Sequence, residues 1–335
     1  SRRIRSSTTS QPRAEYVLAV TLTTDHPGPF QGMRTTRRAP ALRRSWLFDG
    51  GDDRNAHHAA CALGADVVIQ ELEDSTPPER RPGARTLAAQ AFAAWRAAGM
   101  LSAVRINPLE TDGLADLAAV IPAQPDIVLM SKVSEPSQVQ RLADEVGRLE
   151  HKHGLPAGGI ELVPNIESAR GIMQTYAIAK ASTRVTGVAG STEDTAADLG
   201  AVRGKDGVEL AYVRQRLHVE TVAAGVVSID CPYTFADTDG CETDARYARR
   251  LGYQAKLIND PSHVAVVNRV MTPSESEVRE ASKIIDAFDT NNRGLGNEQV
   301  RLNGRLLELP IYLNAQRLLE RAAALGIDTG AKSKR

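Results

Sequence analysis

Short apolar runs that alternate with longer helical patterns from Leu42 to Met271 are the strongest constraint on how this chain can fold. A run of four to seven β-branched and aliphatic residues, a turn, and then a stretch of helical period is the signature of a βα unit. The runs fall at Arg44–Phe48, Ala65–Asp74, Ala103–Asn107, Asp126–Lys132, Ile160–Ile166, Val185–Gly190, Val226–Asp230 and Ala255–Asn259. Helical patterns separate them, among them Asp53–Leu63, Arg85–Ala98, Pro136–Lys152 closed by Gly154, Ser168–Ala181, Val208–Ala224, Ala245–Leu251 and a helix opened by Pro261. Strands in this number over this length predict an α/β fold, a (β/α)8 TIM barrel, which typically takes roughly 250 residues. A doubly wound open sheet is the alternative, weakened because no strand is followed by G-x-G-x-x-G or G-x-x-x-x-G-K-[ST].

The chain has 335 residues, which leaves additions at both ends of such a barrel. Residues 1–41 are basic and hydroxyl-rich, with Glu15 and Asp25 as their acids. That composition resembles an organellar presequence, but no clear amphipathic helix accompanies the arginines, and a flexible extension is the expectation. Residues 42–272 are expected to form the barrel and 273–335 a C-terminal extension. In the extension, Pro273–Asn291 reads as a helix, Leu295–Leu309 as a hairpin about Asn303-Gly304, and Pro310–Leu325 as a second helix. Too small and apolar to stand alone, it is expected to pack on the barrel or on a neighbouring subunit.

Function classes narrow on simple grounds. No apolar run approaches the roughly 20 residues of a membrane helix. The formal net charge of zero argues against a partner held by phosphate electrostatics, nucleic acid above all, and favours a small-molecule substrate. Cys61, Cys231 and Cys241 show no metal or disulfide spacing, which suits a reducing cytoplasm. His57-His58, His151 and His153 also lack ligand spacing and are read as helix-terminal residues.

Barrel chemistry comes from side chains at the C-terminal ends of strands. Glu167 stands at such an end, and Asp194 follows 27 residues later, about one βα repeat, so adjacent strands bring the two together. Two hard oxygen ligands, with other positions left to water and substrate, describe a Mg2+ site better than a zinc site. Glu71, Glu73 and Asp74 crowd the end of the second run, and such clustered charge calls for a compensating cation. Strand alternation puts Glu71 and Glu73 on one face. Arg105 at the third strand end supplies the opposite charge, as a site residue or as a structural ion-pair partner of those acids.

The segments Arg44-Ser-x-Leu-Phe48, Glu71-Leu-Glu-Asp-Ser75, Val104-Arg-Ile-Asn-Pro108, Lys132-Val133, Ile166-Glu-Ser-Ala-x-Gly171, Glu193-Asp194 and Leu257-Ile-Asn-x-Pro261 occur in one order along the chain. That ordered set resembles the citrate lyase beta subunit-like proteins of the HpcH/HpaI aldolase superfamily, over about Arg43 to Ile327. The resemblance implies a Mg2+-dependent carbon–carbon lyase acting on a 3-hydroxy-3-carboxyacyl thioester, such as citryl, malyl or citramalyl on CoA or on an acyl carrier protein. It implies Glu167 and Asp194 as metal ligands, Glu73 and Asp74 as acids that hold metal-bound water, and Arg105 as the residue on the keto-acid or enolate oxygen. Arg44, Ser45 and Lys132 are expected near the cofactor. Glu308 occupies the position of an acid that, in members resembling the malyl-CoA lyases, closes over a neighbouring subunit's site, and a homotrimer is implied. The chain departs from the pattern at Asp49-Gly50-Gly51 (usually Val-Pro-Gly), at Glu71 (usually Asp), at Ala255 (usually Gly) and at Glu308 (usually Asp). These departures leave open the acyl group and the carrier, and with them a thioesterase on the same site or a non-catalytic ligand-binding subunit of a larger complex.

Overall fold

Strand β2 shows how the sequence makes this fold. Val67–Glu71 is buried at every position, and its neighbouring strands flank it in parallel, so both faces need apolar or internally satisfied residues. The computed structural model describes residues 37–292 and 300–329. Eight parallel strands close in sequence order: β1 Ser45–Gly50, β2, β3 Leu101–Ile106, β4 Ile127–Met130, β5 Glu161–Ile166, β6 Gly187–Gly190, β7 Val227–Asp230 and β8 Ala255–Ile258. Closure is through β1 and β8, where Trp46 is paired with Leu257. The (β/α)8 barrel expected from the sequence is therefore the fold. From Arg38 onward the chain forms one compact unit.

Alternation along each strand divides the core in two. Trp46, Val67, Ile69, Leu129, Val163, Ile229 and Leu257 pack together inside the barrel, while Leu47, Val68, Val104, Val128 and Leu162 face outward to the helices. The same alternation carries Glu71, Arg105 and Asn165 to the inner face at the top of the barrel.

Several helices differ from expectation for local reasons. The single helix expected over 168–181 is two short ones, Ala169–Ile172 and Thr175–Ala179. A Cβ on Gly171 would lie 2.7 Å from the Val133 carbonyl oxygen, so the chain is drawn onto the end of β4, and Gln174 then leaves helical geometry to donate to the Ser134 carbonyl. The helix expected from Ala245 begins at Thr238, capped by Asp237 on the Gly240 amide. Its polar first turns hid it. A helix at Gly113–Val120, absent from the sequence reading, links β3 to β4. Among the described residues no helix is long and apolar enough to cross a membrane, and the three cysteines are free thiols.

On the outer face of β7 and β8, Lys256 and Arg214 meet Asp230 and Asp244, all within 2.5–2.9 Å. With two charges of each sign and the Lys256 ammonium also on the Cys231 carbonyl, the buried group is fully paired. The C-terminal extension has helices Glu275–Asn292 and Leu309–Ala324, which meet through Phe288 and Tyr312. Strands Arg301–Leu302 and Arg305–Leu306 form a hairpin whose turn residues, Asn303 and Gly304, both have positive φ. Residues 295–299 of the expected hairpin and residues 1–36 of the expected extension lie outside the described residues. Arg321 ties the last helix to the barrel by donating to Gln254 and to the Met271 carbonyl, beside the start of β8.

Asp49 is a cost built into β1. Its carboxylate is buried, its Oδ2 has no partner, and burial, aided by Asp53 and opposed by the Gly50 amide, raises its pKa from 3.8 to about 7. The folded state holds a proton that the unfolded chain has lost, so stability falls as pH rises from about 4 to about 7. Asp49→Asn removes the titration. Urea denaturation is expected to show the variant matching the wild type near pH 4 and exceeding it at pH 8; equal midpoints at pH 8 would contradict the assignment.

Candidate active site

The C-terminal ends of the strands enclose a cavity of about 320 Å3. Phe48 and Gly50 line it from β1, Glu71, Asp74 and Ser75 from the end of β2, and Arg105 from β3. Asn165 of β5, Ser191–Asp194 after β6, Pro232 and Thr234 after β7, and Leu257 and Asn259 of β8 complete it. This is the face on which barrel enzymes carry their chemistry.

Arg105 organises the cavity. Its Nε donates to Glu71 at 2.8 Å, Nη2 lies 3.3 Å from both Glu73 and Asp74, and Nη1 lies 3.8 Å from Glu167. The guanidinium carbon sits 4.6 Å above the centre of the Phe48 ring, an apolar floor with a favourable electrostatic face. Burial works against the charge, but Glu71, Glu73 and Glu167 outweigh it and hold the Arg105 pKa above its ordinary value. Glu71 is fully employed: besides Arg105 it accepts from the Glu73 amide, the Ser75 amide and the Ser75 hydroxyl. Burial would raise its pKa, yet these partners bring it below the usual carboxylate range.

The other acids are less well served. Lys132 at the end of β4, in a left-handed conformation with φ 56°, places its ammonium 2.5 Å from Glu73 and 3.7 Å from Asp74. Burial and the neighbouring Asp74 still leave the Glu73 pKa raised, against Arg105 and Lys132. Glu167 is 3% exposed; Asn165 donates to its Oε1 at 2.5 Å, and its Oε2 has no partner. Burial, with further contributions from Glu73, Asp194 and Asp74 that Arg105 only partly offsets, pushes Glu167 up to about 8. Asp194 lies in the first turn of the helix Glu193–Asp198 and accepts from the Ser191 hydroxyl at 2.9 Å.

Besides Glu193, which lines the mouth paired with Arg203, the carboxylates Glu71, Glu73, Asp74, Glu167 and Asp194 share it with the cations Arg105 and Lys132. Net negative charge around an unpartnered buried oxygen fits a divalent cation. Carboxylate oxygens are the hard donors that Mg2+ takes in small number while keeping several waters; among the described residues no three His, Cys, Asp or Glu side chains are grouped so as to hold a metal by themselves.

The structure brings together Glu167, Asp194, Arg105, Glu73, Asp74 and Lys132. It does not bring Arg44 and Ser45 there, and the expectation of a cofactor contact at these two is corrected. Both stand at the start of β1, at the opposite end of the barrel. Arg44 is bidentate on Asp66, just before β2, and donates to Thr272; the Ser45 hydroxyl donates to Asn268 and accepts from the Asp66 amide. Their work is to lock the barrel floor. Glu308 is exposed at the N-cap of the last helix and does not line its own chain's cavity. Sequence reading passed over Asn165, although its place two residues before Glu167 puts both on one strand face, and over the Ser191 contact to Asp194.

A parallel eight-stranded barrel with an arginine and carboxylate cluster at its C-terminal mouth defines the class of protein. The chain belongs to the HpcH/HpaI aldolase/citrate lyase family, whose model matches residues 44–261. A citrate lyase subunit beta of Haemophilus influenzae is 31% identical over 284 residues, covering 84% of this chain and 97% of the relative. A (3S)-malyl-CoA thioesterase of Cereibacter sphaeroides is 28% identical over 289 residues, with 84% and 95% covered. Among solved structures, the protein CitE of Mycobacterium tuberculosis in complex with magnesium, acetoacetate and coenzyme A is 26% identical, with a TM-score of 0.68 and 85% and 99% of the two chains covered.

Proposed function

We propose that this protein is a Mg2+-dependent carbon–carbon lyase that cleaves a 3-hydroxy-3-carboxyacyl thioester, of the citryl, malyl or citramalyl type, into a 2-keto acid and an acyl thioester. The observation that carries this reading is the excess of carboxylate at the mouth, centred on the unpartnered Glu167 oxygen beside Arg105. Glu167 and Asp194 are the residues that would hold the ion, with Glu73 and Asp74 holding water around it. Mg2+ when bound supplies positive charge that polarises the hydroxyl and carboxylate end of the substrate. Magnesium and coenzyme A in the complex of the mycobacterial relative support both halves of the assignment.

In the reaction the 3-hydroxyl loses its proton and its electron pair closes the keto group. The bond between C2 and C3 breaks, its electrons pass into the thioester enolate, and protonation at C2 gives the acyl thioester. Arg105 donates to the oxygen on which negative charge develops, from a position already fixed by Glu71 and Phe48. Glu71 is thus a positioning residue. Lys132, half exposed at the rim, neutralises Glu73 and stands where a thioester carrier enters. Glu308 is assigned to a neighbouring subunit's mouth in a cytoplasmic homotrimer, supported by its exposure away from its own cavity.

A thioesterase on the same site is the second reading, favoured by the similarity to the malyl-CoA thioesterase. There, water attacks the thioester carbonyl and a free acid and thiol leave. The purified protein is expected to release oxaloacetate, glyoxylate or pyruvate from citryl-, malyl- or citramalyl-CoA with Mg2+ present and not with EDTA. Free thiol without keto acid would identify the thioesterase, and neither product a binding subunit. Arg105→Lys keeps the charge but loses the planar fork, and is expected to lower kcat by about 10²–10³-fold with circular dichroism unchanged. A wild-type rate would remove Arg105 from the chemistry. Light scattering is expected to give three times the chain mass, and Glu308→Ala to retain that mass while losing turnover; full activity in the variant would dismiss Glu308 as a lid.

A further inference from the structure

Asn165 lies deeper in the barrel than the acids it serves. It is 1% exposed, on the inner face of β5, and its strand partner Ala189 offers no polar group to it. Its amide nitrogen donates to Glu167 Oε1 at 2.5 Å, and its Oδ1 is buried without a hydrogen-bond partner, in a residue that lines the cavity. The orientation of the amide follows from chemistry, because the reverse flip would set its oxygen against the carboxylate. The hydrogen bond fixes which Glu167 oxygen is engaged, leaving Oε2 without a hydrogen bond. A hydrophobic side chain at 165 would leave both Glu167 oxygens unpartnered and the carboxylate free to turn.

We propose that Asn165 is a positioning residue that sets the affinity of this site for a divalent cation through its grip on Glu167. This rests on the assignment of Glu167 as a cation ligand, and extends it to a residue that acts through Glu167. Partners that orient a metal ligand typically change metal affinity by about 10–100-fold when removed.

The test measures Mg2+ binding by calorimetry on the full-length protein without substrate, beside turnover as a function of Mg2+ concentration. Asn165→Leu, which keeps the branched outline without polar atoms, is expected to weaken Mg2+ binding by about 10–100-fold. The same variant should approach wild-type kcat at saturating Mg2+, a split that a general packing defect would not give. Asn165→Gln, which retains the amide, is expected to recover part of the affinity, and thermal melting of the metal-free proteins reports whether the barrel is intact. Asn165→Leu binding Mg2+ as the wild type does would overturn the proposal while leaving the lyase reading in place. A wild type that binds no Mg2+ would overturn both.

Discussion

The pairing of Arg105 with Glu71 is the interaction on which the mouth of this barrel depends. A buried guanidinium is tolerable only with its hydrogen bonds answered, and Glu71 answers it while taking three further donors from the turn that follows β2. That turn carries Glu73 and Asp74, so the same carboxylate that fixes the arginine also fixes the acids beside it. Remove it and the cluster has no frame. The remaining carboxylates are then held close by a cation too weak in number to neutralise them, which is how a site stores a demand for a metal ion.

Strand alternation explains why so much of this was legible in the sequence. Apolar runs gave eight strands, and once Val67 and Ile69 face inward, Glu71 must follow; the same step carries Val163 to Asn165 and Glu167. The closeness of Glu167 and Asp194 followed from one repeat of spacing, and β5 and β6 are indeed neighbours. Strand ends could be misplaced by a residue or two without altering any of these conclusions.

The family resemblance puts Arg44 and Ser45 near the cofactor, although both open the first apolar run, the end of a strand away from the chemistry. Arg44 and Ser45 open β1, and only the closed barrel shows that Asp66 and Asn268 meet them there, far from the chemistry. A motif marks residues that matter without saying what they matter for, and these two close the floor. Asn165 shows the opposite failure. Its neighbours in sequence are apolar, it belongs to no acidic cluster, and its importance appears only when Glu167 is seen with one oxygen held and one free.

Two departures from the family pattern are neighbours in the register. Gly50 is paired with Glu71 across β1 and β2, and it stands at the inner-face position above Trp46 and Phe48. A Cβ on Gly50 would meet nothing nearer than the Asp53 Cβ, at 3.9 Å, so the position is open above the cavity that Gly50 lines. Gly51 is tightly fitted: a Cβ would come within 2.2 Å of the Glu71 carbonyl oxygen and 2.6 Å of the Thr76 hydroxyl, so the loop after β1 lies directly on the end of β2. Proline in place of Gly50 would also fix a backbone dihedral beside this contact. Gly51 and the end of β2 are therefore a matched fit. Gly50 lines the cavity, so of the departures from the family pattern the bare position there bears most directly on the shape of what the cavity can hold.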